Sequence, residues 1–174
     1  MQIDGLTKIA REKMPKHIVF INECQEERLI HIIAHECMHI IRMFNADPKD
    51  RFVLLSNSIS LEKAFKAFEN ELACTLSDIE TEMLIQYFVN CLLMQLANLP
   101  VDAKIEKTLY ENYPGLYQYQ IKSLKVDAKK TLMGVTKDVE KTAIPLVFYI
   151  CNSMSYAYLR AIEQITNKNY CEKY

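Results

Sequence analysis

The chain has 174 residues, half of them hydrophobic and a quarter charged, with a formal net charge of −1 and only three glycines and five prolines. This length fits one domain, residues 1–174, with a core of its own, and the composition excludes disordered, collagen-like and glycine-linker architectures. A charge near zero offers no basic field to a phosphate backbone, so no nucleic-acid partner is expected. Six cysteines, none at C-x-x-C spacing, read as free thiols in a reducing compartment. The polar opening Met1 to Pro15 is unlike a signal peptide, and the longest apolar runs, such as Ala143 to Cys151, are too short to span a bilayer. The expectation is a cytoplasmic protein without a membrane partner.

In chain order, Ile3 to Met14 reads as a first helix stopped by Pro15. His17 to Asn22, HIVFIN, is the clear strand candidate, with β-branched and aromatic residues in a row. A helix from about Gln25 to Phe44 ends at Asn45-Ala-Asp-Pro48. Ser60 is a plausible N-cap for a long helical region reaching about Leu99, with a break possible between Cys74 and Asp78. Pro100 interrupts the pattern and Tyr113-Pro-Gly-Leu116 marks a turn. Leu116 to Thr166 then reads as two or more helices, interrupted near Gly134 and kinked at Pro145. The fold class expected is mainly α with a small β-sheet (α+β).

The informative segment is Leu29 to Phe44, LIHIIAHECMHIIRMF, which contains His35-Glu36-Cys37-Met38-His39. This matches H-E-x-x-H. Residues four apart stack on one face of a helix, so both imidazoles can reach a single zinc ion, with Glu36 beside the first ligand as a general base. With four histidines and fifteen glutamates in the chain, composition alone yields roughly 0.008 such matches.

A catalytic zinc needs a third protein ligand and an open position. The other histidines, His17 and His31, both precede the motif, so a downstream histidine ligand is excluded. His31 is about 12 Å of helix rise from His39 and reads as a core residue or an outer support of the site. A downstream carboxylate remains, from Glu69, Glu71, Glu80 or Glu82. Glu80 shares a helical face with Leu76, Met83, Leu84, Tyr87, Cys91 and Met94, where a carboxylate is costly unless neutralised. It is the expected third ligand, with Glu69 the runner-up. Cys37 points away from the histidine face and reads as a buried, inert thiol. The tyrosines clustered late in the chain, and the lysines Lys122, Lys125, Lys129 and Lys130, read as packing and as a solvated helix face.

The order helix, strand HIVFIN, then EERLIHIIAHECMHII, then ETEMLIQYFVNCLLM resembles the ImmA/IrrE-type metallopeptidases. Arg28, seven residues before His35, and Asn22, at the end of the strand, stand where that family carries the same residues. The resemblance covers about Ile3 to Met94. It implies a minimal zincin-like metalloprotease core over residues 3–99, with residues 100–174 a helical extension packed on it. It also implies zinc held by His35, His39 and Glu80, with Glu36 as base. The Ala-Asn (or Ala-Asp) pair that follows the family's glutamate ligand is Met83-Leu84 here, so the usual group orienting a ligand histidine is missing. The implied function is a zinc-dependent, gluzincin-like hydrolase cleaving peptide bonds in a protein or peptide substrate such as a regulatory repressor. The alternative is a catalytically weak, metal-stabilised regulatory or interaction protein.

Overall fold

The structure, a computed structural model, describes residues 4–10, 12–22, 27–47, 62–63, 66, 78–134, 136 and 145–171. Within these residues the chain is mainly helical with one two-stranded antiparallel sheet, as expected. Strand β1 is Gly5–Lys8 and β2 is Ile18–Ile21, paired Gly5 to Ile21 through Lys8 to Ile18. Helix α1 is Leu29–Asn45, α2 is Asp78–Asn112, α3 is Tyr117–Met133 and α4 is Pro145–Thr166; a short 3-10 turn at Pro114–Leu116 joins α2 to α3. No helix among the described residues is long and apolar enough to cross a membrane.

Three readings of the sequence are corrected. The expected helix over Ile3 to Met14 is replaced at its start by β1. Gly5 and Thr7 are poor helix formers, and pairing with β2 gives the segment an alternating buried and exposed pattern. Pro100 does not end the second long helix, because α2 runs through it to Asn112. A proline there removes the bond from its own nitrogen to the Leu96 carbonyl, yet α2 stays packed along α4. A boundary at residues 99 and 100 therefore falls inside one helix. Pro145 is the first residue of α4 rather than a kink within it, a position where its missing N–H costs nothing. The possible break at Cys74 to Asp78 lies largely outside the described residues.

Two apolar clusters hold the helices together. Val89 and Leu92 of α2 pack with Leu146, Val147, Ile150, Cys151 and Met154 of α4. Leu124 and Ala128 of α3 pack with Leu159 and Ile162 of α4 and with Tyr170. The sheet lies against α1. Thr7 Oγ1 donates to the Glu36 carbonyl at 3.2 Å, and β1 approaches so closely that a Cβ on Gly5 would stand 2.8 Å from Glu36 Oε1 and 2.9 Å from Ile32 Cγ2. Glycine is required there by the approach of the strand to the motif helix.

Candidate metal centre

The site is built by two antiparallel helices, each offering residues four apart. On α1, His31, His35 and His39 form one stripe. On α2, Asp102 and Glu106 form another, with Ile105 and Leu109 buried beside them. Asp102 meets His39 and His35, and Glu106 meets His35 and His31, so the two stripes run in opposite directions.

The decisive geometry is a triangle of ligand atoms. His35 Nε2 and His39 Nε2 face each other at 3.2 Å. Asp102 Oδ1 closes the triangle at 3.6 Å from the first and 3.4 Å from the second. This oxygen is buried and makes no hydrogen bond. Tetrahedral zinc with ligands at 2.0–2.1 Å spaces its ligand atoms about 3.3 Å apart. The three atoms thus fit a zinc ion without rearrangement. They form one of the two groups among the described residues whose ligand atoms converge closely enough to hold an ion; the other is His31, His35 and Glu106.

Behind the triangle, Glu106 binds His35 Nδ1 through Oε1 at 2.7 Å and His31 Nε2 through Oε2 at 3.0 Å. Gln120 of α3 donates to Glu106 Oε2 at 2.6 Å and to its carbonyl at 2.8 Å. The hydrogen bond to Glu106 keeps the proton of a neutral His35 on Nδ1 and leaves the Nε2 lone pair directed at the triangle. Glu106 therefore supplies the orienting group whose absence the sequence around Met83 and Leu84 suggests.

The electrostatics call for a positive charge. Burial pushes the Glu106 carboxyl up, but hydrogen bonds with His31 and His35 outweigh it and hold it below the usual range. Asp102 is likewise raised by burial and held low by His35 and His39. Burial would lower His35, yet Asp102 and Glu106 push it up to about 10. Without a metal, a proton on His35 answers the two carboxylates.

Glu36 is 8% exposed and lies under β1. It lines two cavities that meet at the triangle. One, of about 240 Å³, reaches inward past His31 and Glu106 to Arg28. The other, of about 270 Å³, lies between β1 and α1 and is lined by Thr7, His39 and Arg42. The motif histidines and Glu36 are therefore together.

Glu80 is elsewhere. It stands in the first turn of α2, about six turns and 33 Å of helix rise before Asp102. Asp102 occupies the third corner in its place. Glu69 lies outside the described residues. Asp102 and Glu106 were legible by the same argument that favoured Glu80, because both carboxylates interrupt an apolar stripe; reading Pro100 as a helix end hid them. His31 is buried as a support of the site, His17 is exposed and accepts from the Ala10 N–H through Nδ1 at 3.1 Å, and Cys37 is exposed rather than buried. Arg28 does not reach the triangle. It donates to Asp4 at 2.7 Å, Ser123 at 2.9 Å and Asp127 at 2.5 Å.

Comparison with family models, with curated proteins and with solved structures finds no match for this chain.

Proposed function

We propose that the protein is a cytoplasmic zinc-dependent peptidase of the ImmA/IrrE-like H-E-x-x-H kind, with zinc held by His35, His39 and Asp102, an aspartate where the gluzincin pattern has a glutamate. The observation that carries this reading is the triangle of two imidazole nitrogens and a buried carboxylate oxygen that makes no hydrogen bond, with sides of 3.2–3.6 Å. A bound zinc ion supplies Lewis acidity, polarising a carbonyl and acidifying a water molecule. Glu36, beside the first ligand, takes a proton from the attacking water and passes it to the departing amine. Glu106 holds His35 in the ligand tautomer, and Gln120 and His31 hold Glu106. The cavity between β1 and α1 gives an extended peptide access to the triangle. Free thiols at Cys37, Cys91, Cys151 and Cys171 suit a reducing compartment.

The burial of Glu36 under Gly5 favours a second reading, a metal-stabilised regulatory protein in which this carboxylate no longer turns over substrate. Metal analysis of protein purified without chelator tests the first step. About one zinc per chain is expected in the wild type and in Glu80→Ala, and none in Asp102→Ala. Retention of zinc by Asp102→Ala would refute the site. Glu36→Gln then separates the readings: it keeps zinc in both, and abolishes peptide cleavage only if the wild type shows it.

A further inference from the structure

Helix α1 turns its inner side to the sheet and to α2, and His31, Ile32, Glu36 and Met43 are buried there. Its outer side is apolar as well. Ile30, Ile33, Cys37, Ile41 and Phe44 follow one another at intervals of three, four, four and three residues, the spacing that keeps them on one helical face. All five are exposed, the four large ones by 41–76%. Ala34 and Met38 beside the stripe are half-buried and carry no charge either. A surface helix ordinarily presents polar residues on the face turned away from the core. Here that face offers about 500 Å² of apolar surface, the size of the largest patch on a typical monomer, where such patches often serve in binding. The stripe is also symmetric about its middle. Ile33 and Ile41 lie four residues to either side of Cys37, and Ile30 and Phe44 lie seven. A two-fold interface sets residue i against j and j against i. Two α1 helices laid antiparallel, with Cys37 at the axis, match Ile33 to Ile41 and Ile30 to Phe44 at both ends.

We propose that the outer face of α1 is a contact between two copies of this chain, packed antiparallel across a two-fold axis at Cys37. Two such faces together bury about 1,000 Å², the lower bound of a specific interface, so the association is weak and falls in the micromolar range. Packed helices have axes about 8–10 Å apart, which brings the two Cys37 residues within reach of a short cross-linker. His35 and His39 lie on the other side of α1, against Asp102 and Glu106 of α2. The metal centres of both copies therefore stay accessible, and the inference does not rest on the zinc reading.

Sedimentation equilibrium of the full chain in reducing buffer, from about 1 to 100 μM, is expected to show a monomer passing into a dimer. Ile33→Glu and Ile41→Lys, each alone, set a charge against an apolar residue of the other copy and should weaken association at least about tenfold. Both positions are exposed, so the helical circular dichroism of the monomer should persist. Combined in one chain, the two changes set opposite charges face to face at both ends and should restore the dimer; a parallel pairing gives no such rescue. A short bismaleimide should join two wild-type chains and not two chains of Cys37→Ser. A monomer at every concentration overturns the inference, and slow alkylation of Cys37 in that monomer would assign the stripe to another part of the same chain. A dimer indifferent to both single changes, or weakened by them and not restored by the pair, overturns it as well.

Discussion

Two polar clusters lie beside α1, one on each side of the inner cavity, and they are finished differently. Around Arg28 every charge has its counterpart: Asp4 is met by Arg28 and by Lys130 at 2.8 Å, Asp127 by Arg28, and Ser123 accepts from the guanidinium. Around His35 the network is complete on one side and open on the other. Glu106 is fully engaged by His31, His35 and Gln120, whereas Asp102 Oδ1 faces the two Nε2 atoms at 3.6 and 3.4 Å without a hydrogen bond. Buried polar atoms in native proteins are ordinarily paired. Among the described residues the buried side-chain atoms without a hydrogen bond are His31 Nδ1, Gln95 Oε1, Asp102 Oδ1 and Gln120 Oε1, and all but the Gln95 atom belong to the cluster around His35. The paired cluster fastens the fold, and the second, under the proposed reading, would close around a zinc ion.

The comparison breaks if the two clusters respond alike. The largest effect on folding is expected from Arg28→Met, which strands Asp4 and Asp127. Removing one partner of a buried ion pair costs about 3–5 kcal/mol, and the partial exposure of Asp127 places this case near 3 kcal/mol. Urea denaturation should show that loss with or without zinc. Asp102→Ala should behave differently. It removes a carboxylate that pairs with His35 and His39 at 3.6 and 3.4 Å, so the zinc-free protein loses about 1 kcal/mol near neutral pH. The zinc-dependent stabilisation of the wild type, about 2.7 kcal/mol at a hundredfold excess over Kd, should vanish in it. A zinc-independent loss of several kcal/mol in Asp102→Ala would make Asp102 a structural residue.

Glu106→Gln sharpens the contrast inside the metal cluster. The amide keeps the shape but offers His35 Nδ1 a weaker acceptor. Zinc affinity should fall about 10–100-fold, the usual effect of altering a group that orients a ligand histidine. Competition against a chromophoric chelator measures it. Unchanged affinity would show that Glu106 serves packing alone.

How much of this was readable beforehand follows from where each signal lies in the chain. His35, Glu36 and His39 are four residues apart at most, and helix geometry alone brings them together. The mainly α fold with a small sheet was legible from periodicity and from HIVFIN. The third corner was not, because it depends on which turn of a distant helix lies against α1. Glu80 and Asp102 both interrupt an apolar face, and local pattern alone does not choose between them. Packing chooses: α2 meets α1 beyond Pro100, where the sequence suggests that the helix has ended. β1 was missed for a related reason. Four residues carry little local preference, and their state is set by β2 and by the close approach of Gly5 to Glu36.

The smallest expected effect is the acid response of the Arg28 cluster, and its sign follows from Asp4. Burial would raise this carboxyl, but the hydrogen bonds from Lys130 and Arg28 outweigh burial and hold it below the ordinary value of 3.8. A group whose folded pKa is depressed adds stability above its unfolded pKa and loses it as pH falls through the folded value. The wild type should therefore exceed Asp4→Asn in stability at pH 5, and the gap should close as pH drops below about 4. Lys130 is 40% exposed on its side chain, so solvent screens that half of the interaction and the gap at pH 5 stays below about 1 kcal/mol for the Lys130 pair. Thermal melts of both proteins at pH 5, 4 and 3, in the absence of zinc, give the comparison. A gap that holds constant down to pH 3 would mean that Asp4 acts through packing near β1 and not through its charge, and the Arg28 cluster would then owe its completeness to Asp127 and Ser123.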